Sequence, residues 1–177
     1  MILDGERYYS PWLEGELRSD HAGETGAVWI YKGILFARPN PDLRAFCRRH
    51  LETERRHLDQ LNRLLAPARR STLLPLWRLA GFLTGFLPAC ISDRSVYLTI
   101  VAVESFVQAH YRQQVEHPLL QNYPAILSVL ETCMNDEVEH KEEASLLAGA
   151  GQGKIAGYWS ALVGAGSAVA VRFARRF

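Results

Sequence analysis

The stretch PDLRAFCRRHLETERRHLDQLNRLL, residues 41–65, decides the fold class because its apolar residues recur at the spacing of a helix. The residues between them are mostly charged, which is typical of an amphipathic helix with one buried face. The recurring apolar positions are Leu43, Phe46, Leu51, Leu58, Leu61 and Leu65. Similar spacing continues along most of the chain, and no run alternates strictly between apolar and polar residues as a half-buried strand does. The sequence therefore predicts an all-α protein.

Prolines and glycines divide this helical pattern into six segments. The predicted helices are four long ones at about 16–37, 42–67, 93–116 and 124–147, and two apolar ones at 73–88 and 154–175. Asp42 is the expected N-cap of the second helix, and the glycine-rich run 149–153 ends the fifth. No linker is long enough to separate two domains. We therefore expect a single domain, 1–177, built as a four-helix bundle with two accessory apolar helices.

The charge balance and the cysteines exclude some classes of function. Lys plus Arg number 20 and Asp plus Glu 19, so the chain has no surface-wide field for nucleic acid and we expect no such partner. Cys47, Cys90 and Cys133 form no CxxC pair, so we expect buried free thiols. The N-terminus lacks the basic and apolar regions of a signal peptide, so we expect no export.

Two Glu-x-x-His pairs lie on different predicted helices, Glu54 with His57 and Glu137 with His140. Residues three apart project from the same face of a helix, so each pair can present a carboxylate and an imidazole to one point. Such pairs also arise by chance, and each residue taken singly is more often a solvated helix charge than a ligand. The pairs alone therefore indicate a metal site only weakly.

Two further glutamates provide the context that the pairs need. Glu104 interrupts the apolar run 100–107, and Glu24 lies between Gly23 and Gly26 in a helix that is otherwise apolar. A buried carboxylate without a partner is costly, so these two require a proton, an ion pair or a metal. Each glycine costs a helix about 1 kcal/mol, so we expect close packing or an approaching ligand beside them.

The order of these residues repeats along the chain. Glu24 precedes its Glu-x-x-His pair by 30 residues, and Glu104 precedes its pair by 33. Two helical hairpins folded face to face bring together Glu24, Glu54, His57, Glu104, Glu137 and His140. Four carboxylates balance two divalent cations, and mixed oxygen and imidazole ligands suit iron or manganese. The ligand pattern is that of ferritin-like di-iron bundles, so we predict a ferritin-like fold with a di-metal centre.

Two apolar segments, 73–91 and 155–177, are borderline in length for crossing a bilayer. The first contains Arg78 and two prolines, and the second is rich in Gly and Ala and has arginines at 172, 175 and 176 near its end. We expect both to lie on a membrane surface or pack against the domain rather than to span it.

With these residues in place, the chain resembles the demethoxyubiquinone hydroxylase family of membrane-associated di-iron monooxygenases from about 17 to 147. The matching blocks are the SDHAGETGA run 19–27, Glu54-x-x-His57, Pro75-Leu76-Trp77, Val101–Glu104 with His110-Tyr111, and Asp136–His140. The sequence departs from the family at Ser105, where better-known members carry a Glu, and at Lys141-Glu142, where Glu142 would replace the family's Asp near the metal.

The resemblance implies both an activity and its cofactors. It implies that two iron ions are bound by the six residues named above, with His110 and Tyr111 as catalytic residues that deliver electrons or protons. The implied reaction is the O2-dependent hydroxylation of a polyprenyl benzoquinol ring, demethoxyubiquinol to demethylubiquinol, in ubiquinone biosynthesis. NADH or the quinol itself would supply electrons. The implied partners are the polyprenyl quinol, the membrane surface, a lipid-binding accessory protein and further copies of the chain.

We also expect a particular location for the chain, and two alternative functions remain open. The resemblance places the chain at the cytoplasmic side of the inner or cell membrane as a peripheral protein. One alternative is a di-iron oxygenase or oxidase that acts on another lipid quinol or a tRNA base. The other is a non-enzymatic ferritin-like iron-binding protein, against which the two apolar segments count.

Overall fold

The structure, a computed structural model, describes residues 9–149 and 154–177. These residues form helices joined by turns, with no strand among them. The six α-helices are α1 Pro11–Phe36, α2 Pro41–Leu64, α3 Leu74–Ala89, α4 Asp93–Val115, α5 Pro124–Ala148 and α6 Lys154–Ala174. Short 3-10 helices at Pro67–Arg69 and Pro118–Asn122 follow α2 and α4. The predicted all-α fold class is confirmed, and the helices match the expected ferritin-like bundle.

Two helix starts differ from the sequence prediction. The N-cap of α2 is Asn40, whose side chain accepts a 2.9 Å hydrogen bond from the amide of Leu43, so the predicted cap Asp42 lies in the first turn instead. Helix α1 begins at Pro11, five residues before the predicted start, because Ser10 caps it and proline suits a first helical position. The expectations for the start of the chain and for the break at 150–153 lie outside the described residues.

The bundle is built from α1, α2, α4 and α5, with apolar clusters at both ends. One cluster joins the end of α1 and the start of α2 to α4 and α5 through residues such as Ile34, Phe46 and Ile100. The other lies around Leu17, Leu61 and Leu130 at the opposite end. The segment between the two clusters holds the buried polar residues of the predicted site. Burial of this apolar surface supplies the main stabilisation of the four-helix arrangement.

Helix α3 packs on α1, and α6 packs on α4 and α1. The backbones of α1 and α3 approach closely, since a Cβ atom on Gly85 would lie 2.0 Å from the carbonyl oxygen of Ile30, and one on Gly81 2.3 Å from that of Gly26. Gly26 therefore takes part in close packing, whereas Gly23 is exposed and a Cβ there would meet no described residue within 4 Å.

Two other sequence expectations have a structural outcome. Cys47 and Cys133 are buried free thiols as predicted, but Cys90 is exposed because it follows the last residue of α3 at the surface. Among the described helices, none combines the length and the apolar character that a membrane span requires.

Candidate metal centre

Six side chains from four helices converge in the middle of the bundle, and all six are buried. We call these residues the carboxylate–histidine cluster: Glu24 from α1, Glu54 and His57 from α2, Glu104 from α4, and Glu137 and His140 from α5. They are the six residues that the sequence predicts as ligands. The helical repeat explains the local part of this geometry, because residues three apart on α2 and on α5 face the same way.

The cluster divides into two overlapping groups, in each of which the ligand atoms lie within 4.8 Å of one another. The first group is Glu24, Glu54, His57 and Glu137; the second is Glu54, Glu104, Glu137 and His140. Glu54 and Glu137 belong to both groups. A carboxylate has two oxygens, so these two residues can each bridge a pair of cations. We call Glu24 with His57 the Glu24 half-site, and Glu104 with His140 the Glu104 half-site.

The contacts of His57 test whether the cluster fits metal ions. Its Nε2 lies 2.9 Å from Asp136 Oδ2, while its Nδ1 faces Glu137 Oε1 at 3.2 Å, Glu24 Oε2 at 3.6 Å and Glu54 Oε2 at 3.7 Å. One nitrogen cannot donate a proton to three carboxylates. Within the described part of the chain, Glu24 Oε2, both Glu54 oxygens and His57 Nδ1 are buried without a hydrogen bond. A divalent cation in each of the two groups would give these atoms partners, so the residues present fit a di-metal centre.

The concentration of buried negative charge shifts the protonation of the cluster. Burial and the carboxylates of Glu54 and Glu137 raise the pKa of Glu24 to about 8. Burial and the carboxylate of Glu137 likewise raise the pKa of Glu104 well above its usual range. Burial opposes a charge on His140, but Glu137 and Glu54 outweigh it and raise its pKa to about 10. The cluster therefore requires positive charge, which protons or metal ions can supply.

His140 has surroundings different from those of His57. Its Nδ1 lies 3.1 Å from Glu137 Oε2 and 3.2 Å from Glu54 Oε1. Its ring packs against the ring of His50, with centroids 4.1 Å apart. His50 is buried and its Nε2 lies 2.8 Å from Glu143 Oε2, while burial and the neighbouring His140 lower the pKa of His50 to about 4. His50 is thus a neutral ring held between a surface carboxylate and a residue of the cluster.

The two predicted catalytic residues lie on α4 next to the cluster. The hydroxyl of Tyr111 donates a 2.5 Å hydrogen bond to Glu24 Oε1, so Tyr111 contacts the cluster directly. The Nε2 of His110 instead lies 3.0 Å from Asp20 Oδ1 and 2.9 Å from the side-chain nitrogen of Gln114. His110 therefore belongs to a buried polar network beside the cluster. The catalytic role of both residues stays a prediction.

A cavity of about 730 Å³ reaches the cluster from the side of α3 and α6. Its inner end holds Glu24, Glu54, Glu104 and Glu137, and His110 and Tyr111 also line it. Its remaining walls are mostly apolar residues of α1, α3, α4 and α6, including Ala27, Ile30, Leu76, Trp77, Val103, Phe106, Leu162, Val163 and Phe173. An apolar chamber with a few polar groups at one end suits an apolar ligand that carries a reactive ring.

Sequence reasoning missed Asp136, His50 and Tyr31 as neighbours of the cluster. Asp136 directly precedes Glu137, and Tyr31 lies seven residues after Glu24 as Tyr111 lies seven after Glu104. That second repeat was the signal for Tyr31. The suggestion that Glu142 lies near the metal is wrong, because Glu142 is exposed and Glu143, one residue on, reaches inward to His50.

Comparison with known proteins agrees with this geometry. A family model described as "Ubiquinone biosynthesis protein COQ7" matches residues 11–174. The chain belongs to the COQ7 family. The match includes all six helices, so the resemblance seen in the sequence is confirmed and extends to α6.

Individual relatives of this COQ7-family chain are named as hydroxylases. The 3-demethoxyubiquinol 3-hydroxylase of Rhodospirillum rubrum is 32% identical over an alignment of 143 residues that covers 79% of this chain and 67% of that protein. The NADPH-dependent mitochondrial 3-demethoxyubiquinone 3-hydroxylase of Rattus norvegicus is 30% identical over an alignment of 131 residues that covers 71% of this chain. The chain spans 60% of the length of that rat relative.

Proposed function

We propose that this chain is an O2-dependent di-iron monooxygenase that hydroxylates the ring of a polyprenyl benzoquinol, of the demethoxyubiquinol to demethylubiquinol type, in ubiquinone biosynthesis. The observation that carries the proposal is that the two overlapping Glu and His groups open onto a largely apolar cavity. The names of the Rhodospirillum and rat relatives support the same substrate class.

The chain's own residues would provide the ligands and the chamber. Glu24 and His57 would hold one iron ion and Glu104 and His140 the other, and Glu54 and Glu137, which belong to both groups, would contribute to both. When bound, the two iron ions supply the activation of O2 that ring hydroxylation requires. The largely apolar walls would shield a bound aromatic ring from bulk water and place it beside the cluster, where Gly23, without a side chain, leaves room for it.

His110 and Tyr111 would hold or transfer protons near the reacting ring. Tyr111 donates a hydrogen bond from its hydroxyl to Glu24 and so holds that carboxyl group in place. His110 lines the cavity, and its Nε2 lies 3.0 Å from the buried carboxylate of Asp20, so the pair is within reach for passing a proton toward the cavity. Both residues can therefore assist the hydroxylation without binding the metal.

We also propose that the chain lies on the cytoplasmic face of the inner or cell membrane. An apolar ridge on α3 is exposed, formed by Leu76, Leu79, Leu83 and Leu87. Helix α6, which lines the same cavity, exposes Leu162 and Phe173. Both helices line the cavity, so a quinol could pass from the membrane to the cluster without crossing water. NADH or the quinol as electron source, a lipid-binding accessory protein and self-association stay predictions.

The proposal is tested with iron-loaded protein and a short-tailed demethoxyubiquinol under 18O2. We expect one 18O atom in the hydroxylated product, measured by mass spectrometry. Glu104→Ala and His140→Ala should lower the bound iron from two per chain and abolish the product. The matched control is Glu142→Ala on the exposed side of α5, which should keep both.

Three results would contradict parts of the proposal. Unchanged iron content in Glu104→Ala would remove that residue from the ligand set. Iron binding without hydroxylation of any quinol would favour a non-enzymatic iron-binding protein. Hydroxylation of a different lipid quinol, or of a tRNA base, would keep the monooxygenase and change its substrate.

A further inference from the structure

The internal repeat makes the two half-sites directly comparable. Glu24 corresponds to Glu104, and seven residues after each of them, on the same helix face, is a tyrosine, Tyr31 or Tyr111. The Glu-x-x-His pairs on α2 and α5 also correspond. A symmetric centre would hold the two pairs of ligands in the same way. Differences between the side chains that contact equivalent ligands therefore indicate that the two half-sites bind a metal ion differently.

The Glu24 half-site has both of its ligands tethered by neighbouring side chains. Tyr111 donates a 2.5 Å hydrogen bond to Glu24 Oε1, and Asp136 Oδ2 lies 2.9 Å from His57 Nε2. A carboxylate bonded to the far nitrogen of a histidine fixes the ring orientation, keeps the other nitrogen free for a metal and increases its basicity. This half-site is preorganised for a cation.

The equivalent tethers are absent from the Glu104 half-site in the described part of the chain. Tyr31 is 1% exposed, yet its hydroxyl makes no hydrogen bond to any described residue. The residue equivalent to Asp136 is Thr53, which has no carboxylate and accepts a 2.9 Å hydrogen bond from Arg56 at the surface. No carboxylate among the described residues hydrogen-bonds Nε2 of His140.

His50 occupies the place next to His140 instead. Its ring lies 4.1 Å from that of His140 and 4.0 Å from that of Phe46, so it is packed between them. The bond from His50 to Glu143 fixes the imidazole from the surface side. His140 is therefore oriented by ring packing and an indirect hydrogen bond, which constrain it less than the direct carboxylate contact of His57.

We propose that the two metal positions are inequivalent: the Glu24 half-site binds the first divalent cation, and the Glu104 half-site binds the second one more weakly, with His50 as the positioning residue for His140. This inference rests on the proposed metal centre and adds an order of loading to it. At limiting metal, the singly loaded protein carries its ion at Glu24 and His57. The Glu104 half-site is then also the first to lose its ion on dilution or chelation.

Anaerobic titration of metal-free protein with Co²⁺, followed by visible absorption, tests the order of binding. We expect two steps with dissociation constants that differ by about 10–100-fold, the range usual for loss of a hydrogen-bonded partner of a metal ligand. Asp136→Asn should weaken the first step. His50→Phe, which keeps a ring, and Glu143→Ala, which changes only a partly exposed residue, should each weaken the second step alone.

The control variant is Glu142→Gln, which should leave both steps unchanged. Two equal steps in the unmodified protein, or a His50→Phe variant altered in its first step only, would overturn the inference. Equal steps with normal hydroxylation would leave the proposed function standing. Two separate steps without hydroxylation would support the order of metal loading and contradict the proposed function. The two proposals can therefore fail independently.

Discussion

At the scale of single residues, the two tyrosines show how one residue type acquires different energetic roles. Tyr31 and Tyr111 are both about 1% exposed, and burial raises the pKa of both hydroxyls well above the usual value. Among the residues that the structure describes, Tyr111 has a hydrogen-bond partner, Glu24, and Tyr31 has none. A buried hydroxyl without a partner contributes a desolvation cost, whereas a bond to a carboxyl group contributes stability.

Phenylalanine substitutions in metal-free protein separate these two roles. Tyr111→Phe should lower the free energy of unfolding by about 1–3 kcal/mol, because it leaves a buried carboxyl oxygen of Glu24 unpaired. Tyr31→Phe should be neutral or stabilising, because it removes an unpaired hydroxyl. Urea unfolding followed by circular dichroism gives both values. An equal loss in the two variants would assign Tyr31 a hydrogen-bond partner of its own.

At the scale of elements, the contact of α1 with α3 depends on glycines rather than on interdigitating side chains. Backbone atoms of α1 occupy the space that a side chain on Gly81 or Gly85 would need. Helix α3 is largely apolar on all sides. Its close approach to α1 lets one face of α3 line the cavity while its leucines stay exposed on the surface. The sequence predicted both helices and their approximate bounds, but neither their separation nor the partner of α3.

Alanine substitutions test this contact. Gly85→Ala should lower the free energy of unfolding by about 1–3 kcal/mol, since its Cβ would lie 2.0 Å from the carbonyl oxygen of Ile30 and the helices would have to move apart. Gly164→Ala on α6 is the matched control, because a Cβ there has nothing within 4 Å. It should stabilise the protein by up to about 1 kcal/mol, the helix propensity gained. Thermal unfolding that ranks the two variants in the opposite order would refute the close contact.

At the scale of the whole molecule, the distribution of charge differs from the near-neutral composition. Six acidic residues are buried among the described residues, and no Lys or Arg is. The net charge of +1 therefore corresponds to a surface that is more basic than the total suggests. Together with the leucines of α3 and the exposed apolar residues of α6, this favours binding to anionic lipid.

Co-sedimentation with vesicles of anionic and zwitterionic phospholipid measures this binding. The double variant Leu83→Asn with Leu87→Asn should bind at least several-fold less. Each of these leucine side chains would contribute up to about 1.5–3 kcal/mol of transfer free energy when it enters the lipid. Leu119→Asn, an exposed leucine after α4, serves as the control and should bind as the unmodified protein does. Equal binding by all three proteins would place the membrane contact away from α3.

The sequence by itself determined the all-α class, the approximate helices and the six residues that meet in the bundle. It could do so because helical periodicity is local, so a Glu and a His three apart share a face whatever lies opposite. Only the tertiary structure decided which carboxylate contacts each of these histidines. His57 contacts Asp136, 79 residues away in sequence, and His50 contacts Glu143, 93 residues away. Those contacts depend on the rotation and separation of helices, which are set by packing between residues distant in sequence. For the same reason the cavity, and the difference between the two halves of a centre that looks symmetric in sequence, emerged only with the fold.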